Sequence, residues 1–180
     1  MRKVVSGLFI SLDGVVEAPN EWQFDNFDAE MAASLGEYIT TVDTVLLGRV
    51  TYQEWASYWP TATDEPFASH INNTPKYVVS TTLDKVEWKN STLIRGASLT
   101  SEIARLKQQP GKDIGVEGSP TLVRSLLQNG LLDELTLMIH PVVVGHGKRL
   151  FNDGKELKRL KLVSSKITST GVAILTYQPA

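Results

Sequence analysis

The sequence contains no cysteine among its 180 residues. A chain without cysteine forms no disulfide, no thiolate metal site and no catalytic thiol, and it suits a reducing compartment. It also lacks an excess of either charge, since 18 Lys and Arg stand against 20 Asp and Glu, so a nucleic-acid partner is not expected. No apolar run is long enough to span a membrane, and the first one breaks at Asp13-Gly14 without a small-residue cleavage site. We therefore expect a cytoplasmic protein without a membrane partner.

What the sequence does contain is an ordinary globular composition and an alternation of apolar strands with amphipathic helices. Hydrophobic residues make up 42% of the chain and no linker divides it, so residues 1–180 are expected to form one domain. The alternation predicts an α/β fold with a mostly parallel sheet, and a final run of strands predicts an antiparallel C-terminal section. Strands are predicted at 4–10, 44–47, 76–80, 92–94, 113–116, 134–139, 161–167 and 172–177, and helices at 26–40, 51–58, from Leu99 to Pro110, and from Pro120 to Asn129.

Three of the predicted strands end alike, in small or hydroxyl-bearing residues directly before the next segment. Ligands of open α/β sheets lie at the carboxyl ends of the strands, where helix starts offer unpaired N–H groups to phosphate. Each segment alone also fits a plain turn or helix cap. Together they predict a long phosphorylated ligand such as a dinucleotide, with Arg49 available to a further phosphate. The residues are Gly48, Arg49 and Thr51 in the first segment, Ser80, Thr81 and Thr82 in the second, and Gly118, Ser119, Pro120 and Thr121 in the third.

Common phosphate and metal motifs do not explain these segments. The first strand is not followed by the three glycines of a Rossmann fingerprint. The glycines at 145–148 flank His146 and precede Lys148, but they lack P-loop spacing and lie between strands. The three histidines are scattered along the sequence, and no metal site is predicted.

Two acids and one tryptophan stand near the expected ligand edge. Asp13 follows the first strand in the motif Ser11-Leu12-Asp13-Gly14, although Asp-Gly is equally typical of a tight turn. Asp28 opens the next helix, where an acid also complements the helix dipole. These two acids are the candidate proton donors. Trp22 lies in a loop rich in turn-forming residues and is expected to cover a planar substrate.

Four blocks of the sequence, taken in order, resemble the reductase domain of riboflavin biosynthesis, a member of the dihydrofolate reductase-like superfamily. They span nearly the whole chain, and the last two are the more specific in order and spacing. The resemblance implies a three-layer α/β fold and hydride transfer from NADPH. The blocks are ISLDG at 10–14, LLGRVTY at 46–52, IGVEGSPTL at 114–122, and LDEL at 132–135 running on to HPVVVG at 140–145.

The resemblance also implies roles for the residues. Segments 48–51 and 80–82 would hold the adenosine side of NADPH with its 2′-phosphate, and segment 118–121 would hold the pyrophosphate. Ser11, Asp13 and Glu117 would lie near the nicotinamide and the substrate.

The sequence departs from the riboflavin enzyme at two positions that bear on the site. Gly7 stands where that enzyme has a lysine for its phosphorylated substrate, and Ser119 replaces a glycine. The bifunctional form of that enzyme also carries a zinc deaminase domain, which needs cysteines that this chain lacks.

The resulting hypothesis is a reductase that resembles 5-amino-6-(5-phosphoribosylamino)uracil reductase and acts on a small heterocyclic or carbonyl compound. Three alternatives stay open: a non-catalytic NADP(H)-binding module or sensor, dihydrofolate reductase activity, and a purely structural protein. Relatives of this fold often pair, so a homodimer is expected, and the apolar run 135–144 offers material for its interface.

Overall fold

The computed structural model describes residues 1–152 and 157–180, and its eight strands form one sheet. The strands are β1 Val4–Ser11, β2 Val42–Gly48, β3 Lys76–Ser80, β4 Ser91–Arg95, β5 Asp113–Val116, β6 Glu134–His140, β7 Leu160–Ile167 and β8 Ala173–Pro179. The helices are α1 Ala29–Thr41, α2 Arg49–Tyr58, α3 Phe67–Asn73, α4 Leu99–Gln108 and α5 Pro120–Gln128. The sheet order is β4-β3-β2-β5-β1-β6-β8-β7. Neighbours from β4 to β6 are parallel, and β8 is antiparallel to β6 and β7, as the fold-class prediction requires.

The six parallel strands all end at one edge of the sheet, which we call the carboxyl edge. Parallel pairing puts the last residue of each strand on the same side of the molecule. This edge therefore gathers segments that lie far apart in the sequence. The strand-terminal residues there are Ser11, Gly48, Ser80, Arg95, Val116 and His140.

Helices cover both faces of the sheet and make three layers. On the first face, α4 and α5 pack with strand residues such as Leu8 and Ile10 in one buried cluster. On the second face, α2 and α3 contribute to another cluster, against which α1 packs through Tyr38 and β1 through Val5. Successive strand residues alternate between faces, so Gly7, Phe9 and Ser11 share the second face with Val5.

Several element boundaries differ from the predicted ones. Helix α1 begins at Ala29 rather than at residue 26, because Asp28 is its N-cap. Helix α2 begins at Arg49 rather than at Thr51, which makes Gly48 the N-cap. Helix α3 was not predicted, because its seven residues are too few to show a helical period. Strand β1 alternates between buried and half-buried residues along most of its length.

The apolar run 135–144 divides into buried strand residues and an exposed end. Leu135 and Leu137 belong to the buried cluster on the first face, whereas Val143 is 69% exposed. Large exposed apolar side chains also occur on β7, at Leu162, Val163 and Ile167. Within the described residues, no helix is long and apolar enough to cross a membrane.

Candidate functional site

Two of the three predicted phosphate segments touch each other at the carboxyl edge. The Gly48 N–H donates a hydrogen bond to the Gly118 carbonyl oxygen at 2.7 Å. A Cβ atom at Gly48 would lie 2.6 Å from Ser119 Oγ, and one at Gly118 would lie 2.8 Å from Thr51 Oγ1. Side chains at these two positions would therefore clash with the opposite segment, so the close contact requires glycine at both. We call segments 48–51 and 118–121 together the double turn.

The double turn presents one open and one capped helix start. Gly48 offers no side-chain cap to α2, so no capping side chain among the described residues accepts from the first N–H groups of α2. In α5, Ser119 Oγ accepts from the Leu122 N–H at 3.4 Å and Pro120 has no N–H to offer. An anion at the double turn would therefore meet unpaired N–H groups mainly from α2.

Arg49 and the 80–82 segment differ in how free their side chains are. Arg49 is exposed, and its guanidinium donates to Gln53 Oε1 of the same helix at 3.0 Å. Ser80 is buried, and its Oγ accepts from the N–H groups of Thr82 and Leu83, so it closes a turn. The hydroxyls that face solvent in this segment are those of Thr81 and Thr82.

Arg95 is a residue of this edge that the sequence reasoning missed. It ends β4 directly beside Ser80 in the parallel register. Its exposed guanidinium donates to the Leu83 carbonyl oxygen at 2.6 Å. An arginine and a glycine follow the predicted strand at 92–94, as they follow the predicted strand at 44–47. This shared pattern was the feature of the sequence that could have pointed to Arg95.

The Asp13 carboxylate links the end of β1 to the segment after β6 through hydrogen bonds. Its carboxylate accepts from Ser11 Oγ at 2.6 Å and from the N–H groups of Val144 and Gly145 at 3.0 and 2.8 Å. The Ser11 hydrogen bond, followed by the two backbone N–H groups, holds the pKa of Asp13 well below its ordinary range. The catalytic role stays a prediction, but an ionised carboxylate with occupied oxygens is not arranged to donate a proton.

Asp28 has a comparable role at the start of α1. One oxygen accepts from the N–H groups of Glu30 and Met31, and the other accepts from Ser169 and Thr170 in the β7–β8 turn. The Met31 N–H is the main cause of a pKa held well below the ordinary range. Its catalytic role also stays a prediction, and its geometry is that of a helix cap.

Glu117 is a carboxyl group at this edge whose pKa is raised, so that it is partly protonated near neutral pH. It follows β5, and its Oε1 is hydrogen-bonded to the Tyr38 hydroxyl of α1. The hydroxyl fits there because Gly115 has no side chain: a Cβ at Gly115 would overlap Tyr38 Oη. Burial raises the pKa of Glu117 to about 7, while the side chain remains partly exposed. A carboxyl with these properties is suited to general acid catalysis.

Trp22 covers the end of β6 through an aromatic cluster made of Phe9, Trp22, Phe24, Phe27 and His140. The Trp22 ring meets His140 edge-on with centroids 5.5 Å apart, and His140 meets Phe9 at 5.7 Å. Phe27 contacts both Phe9 and Phe24. The sequence analysis assigned a role to Trp22 but none to His140, although His140 opens the HPVVVG block of the family resemblance.

Comparison with known proteins agrees with this architecture. The family model of the RibD C-terminal domain matches residues 2–174. The uncharacterized protein YyaP of Bacillus subtilis is 33% identical, over 98% of this chain and 94% of its own length. YwjB of the same organism, also uncharacterized, is 30% identical over 92% of this chain and 91% of its own.

Solved structures share the fold. A putative riboflavin biosynthesis protein from Shewanella sp. PV-4 has a TM-score of 0.77 at 22% identity, over 99% of both chains. Dihydrofolate reductase from Enterococcus faecalis, complexed with NADP(H), has a TM-score of 0.61 at 14% identity, over 98% of this chain and 96% of its own. The family match and the fold lead to the same conclusion. The chain belongs to the RibD C-terminal domain family, whose reductases have the dihydrofolate reductase-like fold.

Proposed function

We propose that the protein is an NADPH-dependent oxidoreductase that reduces a small heterocyclic compound. The observation that supports this most directly is the double turn, where two glycines allow segments 48–51 and 118–121 to pack closely against each other at the open start of α2. Membership of a reductase family supports the reaction class.

The residues of the carboxyl edge fit a dinucleotide with three phosphates. The pyrophosphate would lie at the double turn, on the unpaired N–H groups of α2. Arg49 and Arg95, both exposed at this edge, would flank the 2′-phosphate, since guanidinium groups bind phosphate through paired hydrogen bonds. When bound, NADPH supplies the hydride.

The proton would come from Glu117 on the second face of the sheet. Val5 of β1 lies opposite Gly115 of β5, so Gly7 lies beside Glu117 two residues further along. Because Gly7 has no side chain, space remains there, and a Cβ would lie 3.7 Å from Met138 Cε. A substrate in this space would meet the Glu117 carboxyl directly.

Arg49→Ala is expected to weaken NADPH binding at least tenfold, because a hydrogen-bonded charge pair contributes about 1.5–3 kcal/mol. NADH lacks the 2′-phosphate, so its affinity should change less than twofold. Titrations of wild type and variant with both nucleotides, followed by tryptophan quenching, measure the difference. Arg105→Ala on α4, an exposed arginine paired with Glu102, is the control.

Three outcomes of this titration have different meanings. Failure of the wild type to bind either nucleotide would overturn the proposed function together with the sensor alternative. Equal loss of NADPH and NADH affinity would show that Arg49 does not bind the 2′-phosphate. Tight NADPH binding without turnover of any pyrimidine, pterin or carbonyl compound would favour the non-catalytic module.

We also propose that the chain forms a homodimer through β7. This strand is the last of the sheet, and Leu162, Val163 and Ile167 on it are 48%, 43% and 64% exposed. An open apolar edge strand invites pairing with another strand, and a second copy can supply an identical β7 across a twofold axis.

Leu162→Lys is expected to convert a particle of twice 19.9 kDa into a monomer, because it buries a charge in the proposed contact. Light scattering during size-exclusion chromatography gives the mass directly. Leu157→Lys, at a 77% exposed leucine outside β7, should leave the mass unchanged. A monomeric wild type would contradict the dimer and leave the enzymatic proposal intact.

A further inference from the structure

His140 is a buried histidine whose imidazole has no hydrogen-bond partner in the described part of the chain. Its exposed fraction is 0%, and neither Nδ1 nor Nε2 has a partner among the described residues. Buried side-chain polar atoms nearly always find a partner in native structures. An apolar side chain of similar size would fill this position without that deficit, so the unpartnered nitrogens point to a ligand.

His140 lies on the same sheet face as the candidate substrate site, four residues further along the strands than the level of Gly7. It ends β6 at the carboxyl edge, directly opposite Ser11 in the parallel register. Leu135 and Leu137 pack on the first face, so His140 lies on the second face. That is also the face of Gly7, the residue beside Glu117.

The cover over His140 is attached to the sheet by packing rather than by hydrogen bonds. Trp22 closes over the imidazole, and its Nε1 donates to the Glu17 carbonyl oxygen at 3.1 Å. Within the part of the chain that the structure describes, every hydrogen bond of residues 18–25 is made to residues 17–27. Displacing this segment would therefore break no hydrogen bond to the sheet.

We propose that His140 binds the substrate through an imidazole nitrogen, and that the substrate is an uncharged planar nitrogen heterocycle that takes its place beside Phe9 when Trp22 moves away. This inference rests on the proposed function, since it names a binding group for the same substrate.

The chemistry of the surroundings selects that class of ligand. Burial lowers the pKa of His140, so the imidazole is neutral and offers one donor and one acceptor. A ring N–H or a ring carbonyl oxygen can pair with it. The aromatic faces of Trp22 and Phe9 suit a planar ring. Gly7 has no side chain, so this position brings no cation that could pair with a phosphate or carboxylate.

Nitrogen NMR of protein labelled at its three histidines tests the contact directly. The probe is 5,6-diaminouracil, a neutral pyrimidine with ring N–H and carbonyl groups, added to the protein with and without NADP⁺. We expect the ring nitrogens of His140 to shift while those of His70 and His146 stay in place. Orotate, a related pyrimidine that carries a carboxylate, should produce no shift at equal concentration.

His140→Phe is the matching variant, and His70→Phe is its control. His70 also has a buried nitrogen without a partner, but it lies on α3, away from the carboxyl edge. We expect His140→Phe to weaken 5,6-diaminouracil binding at least tenfold while its Tm stays equal or rises. His70→Phe should bind like the wild type.

The outcomes separate this inference from the proposed function. Unchanged pyrimidine affinity in His140→Phe, or no binding to the wild type at millimolar probe, overturns the role of His140 even if NADPH binds normally. Should His140→Phe not fold, the histidine shifts in the wild-type protein still decide the question. Loss of NADPH binding in the wild type is the separate result that would overturn the proposed function.

Discussion

Glu117→Gln is expected to lower turnover by about 10²–10⁴-fold, the range that general acid catalysis contributes. Glutamine has nearly the same shape and can still accept a hydrogen bond from Tyr38, but it has no proton to donate. NADPH affinity should change little, because Glu117 is not among the residues that are proposed to hold the phosphates of NADPH. The loss of NADPH absorbance, with the pyrimidine, pterin or carbonyl compound that the wild type reduces fastest, measures turnover.

The pH dependence distinguishes proton donation from a structural role. Burial raises the pKa of Glu117 to about 7, so the wild-type carboxyl is protonated below that pH and loses its proton above it. Turnover should therefore be level on the acid side and fall as pH rises through about 7. The variant should lack this decline, whereas Glu37→Gln on the exposed side of α1 should keep it. An identical alkaline decline in Glu117→Gln would assign the proton to another group.

Stability should respond to the same titration in a defined direction. A carboxyl whose pKa rises from 4.5 to about 7 on folding favours the folded state less and less as pH rises between those values. The full shift corresponds to at most about 3 kcal/mol, and partial exposure of the side chain reduces it to about 1–2 kcal/mol. Glu117→Gln should therefore be more stable than the wild type above pH 7, even though its turnover is lower.

The sheet and its carboxyl edge could be predicted from local signals. The apolar runs at 44–47 and 113–116 are buried strands, and the cap Ser119 with Pro120 marks the start of α5. Such signals act within a few residues of the chain, so a single sequence carries them. Because the strands are parallel, the predicted strand ends were enough to place the three segments that are predicted to bind phosphate at one edge.

The chemistry of the acids could not be predicted in the same way, because it depends on contacts between distant segments. The pKa of Asp13 is lowered by hydrogen bonds that include Val144 and Gly145, more than 130 residues away. Glu117 meets Tyr38 across 79 residues, and only the fold buries it. Its position near a strand end therefore suggested Asp13 as a proton donor, although its environment keeps the carboxyl ionised.

Gly48→Ala is expected to weaken NADPH binding by about a hundredfold, because extra atoms in a well-packed contact cost about 1–3 kcal/mol and also displace the ligand cradle. Gly48 has φ −74° and ψ 160°, which any residue adopts, so backbone strain does not contribute. The effect arises from the new Cβ, 2.6 Å from Ser119 Oγ and 2.8 Å from the Ser119 nitrogen. Nucleotide titration and thermal unfolding measure affinity and stability in the same samples.

Two further variants show whether the contact at the double turn is responsible. Gly36→Ala in α1 meets nothing within 4 Å, so it should leave NADPH affinity unchanged and stabilise the helix by about 0.5–1 kcal/mol. Adding Ser119→Gly to Gly48→Ala removes the Oγ overlap but not the backbone contact, so it should restore part of the affinity. If Gly48→Ala bound NADPH as tightly as the wild type, the two turns would separate without loss, and the double turn would not be the site of the pyrophosphate.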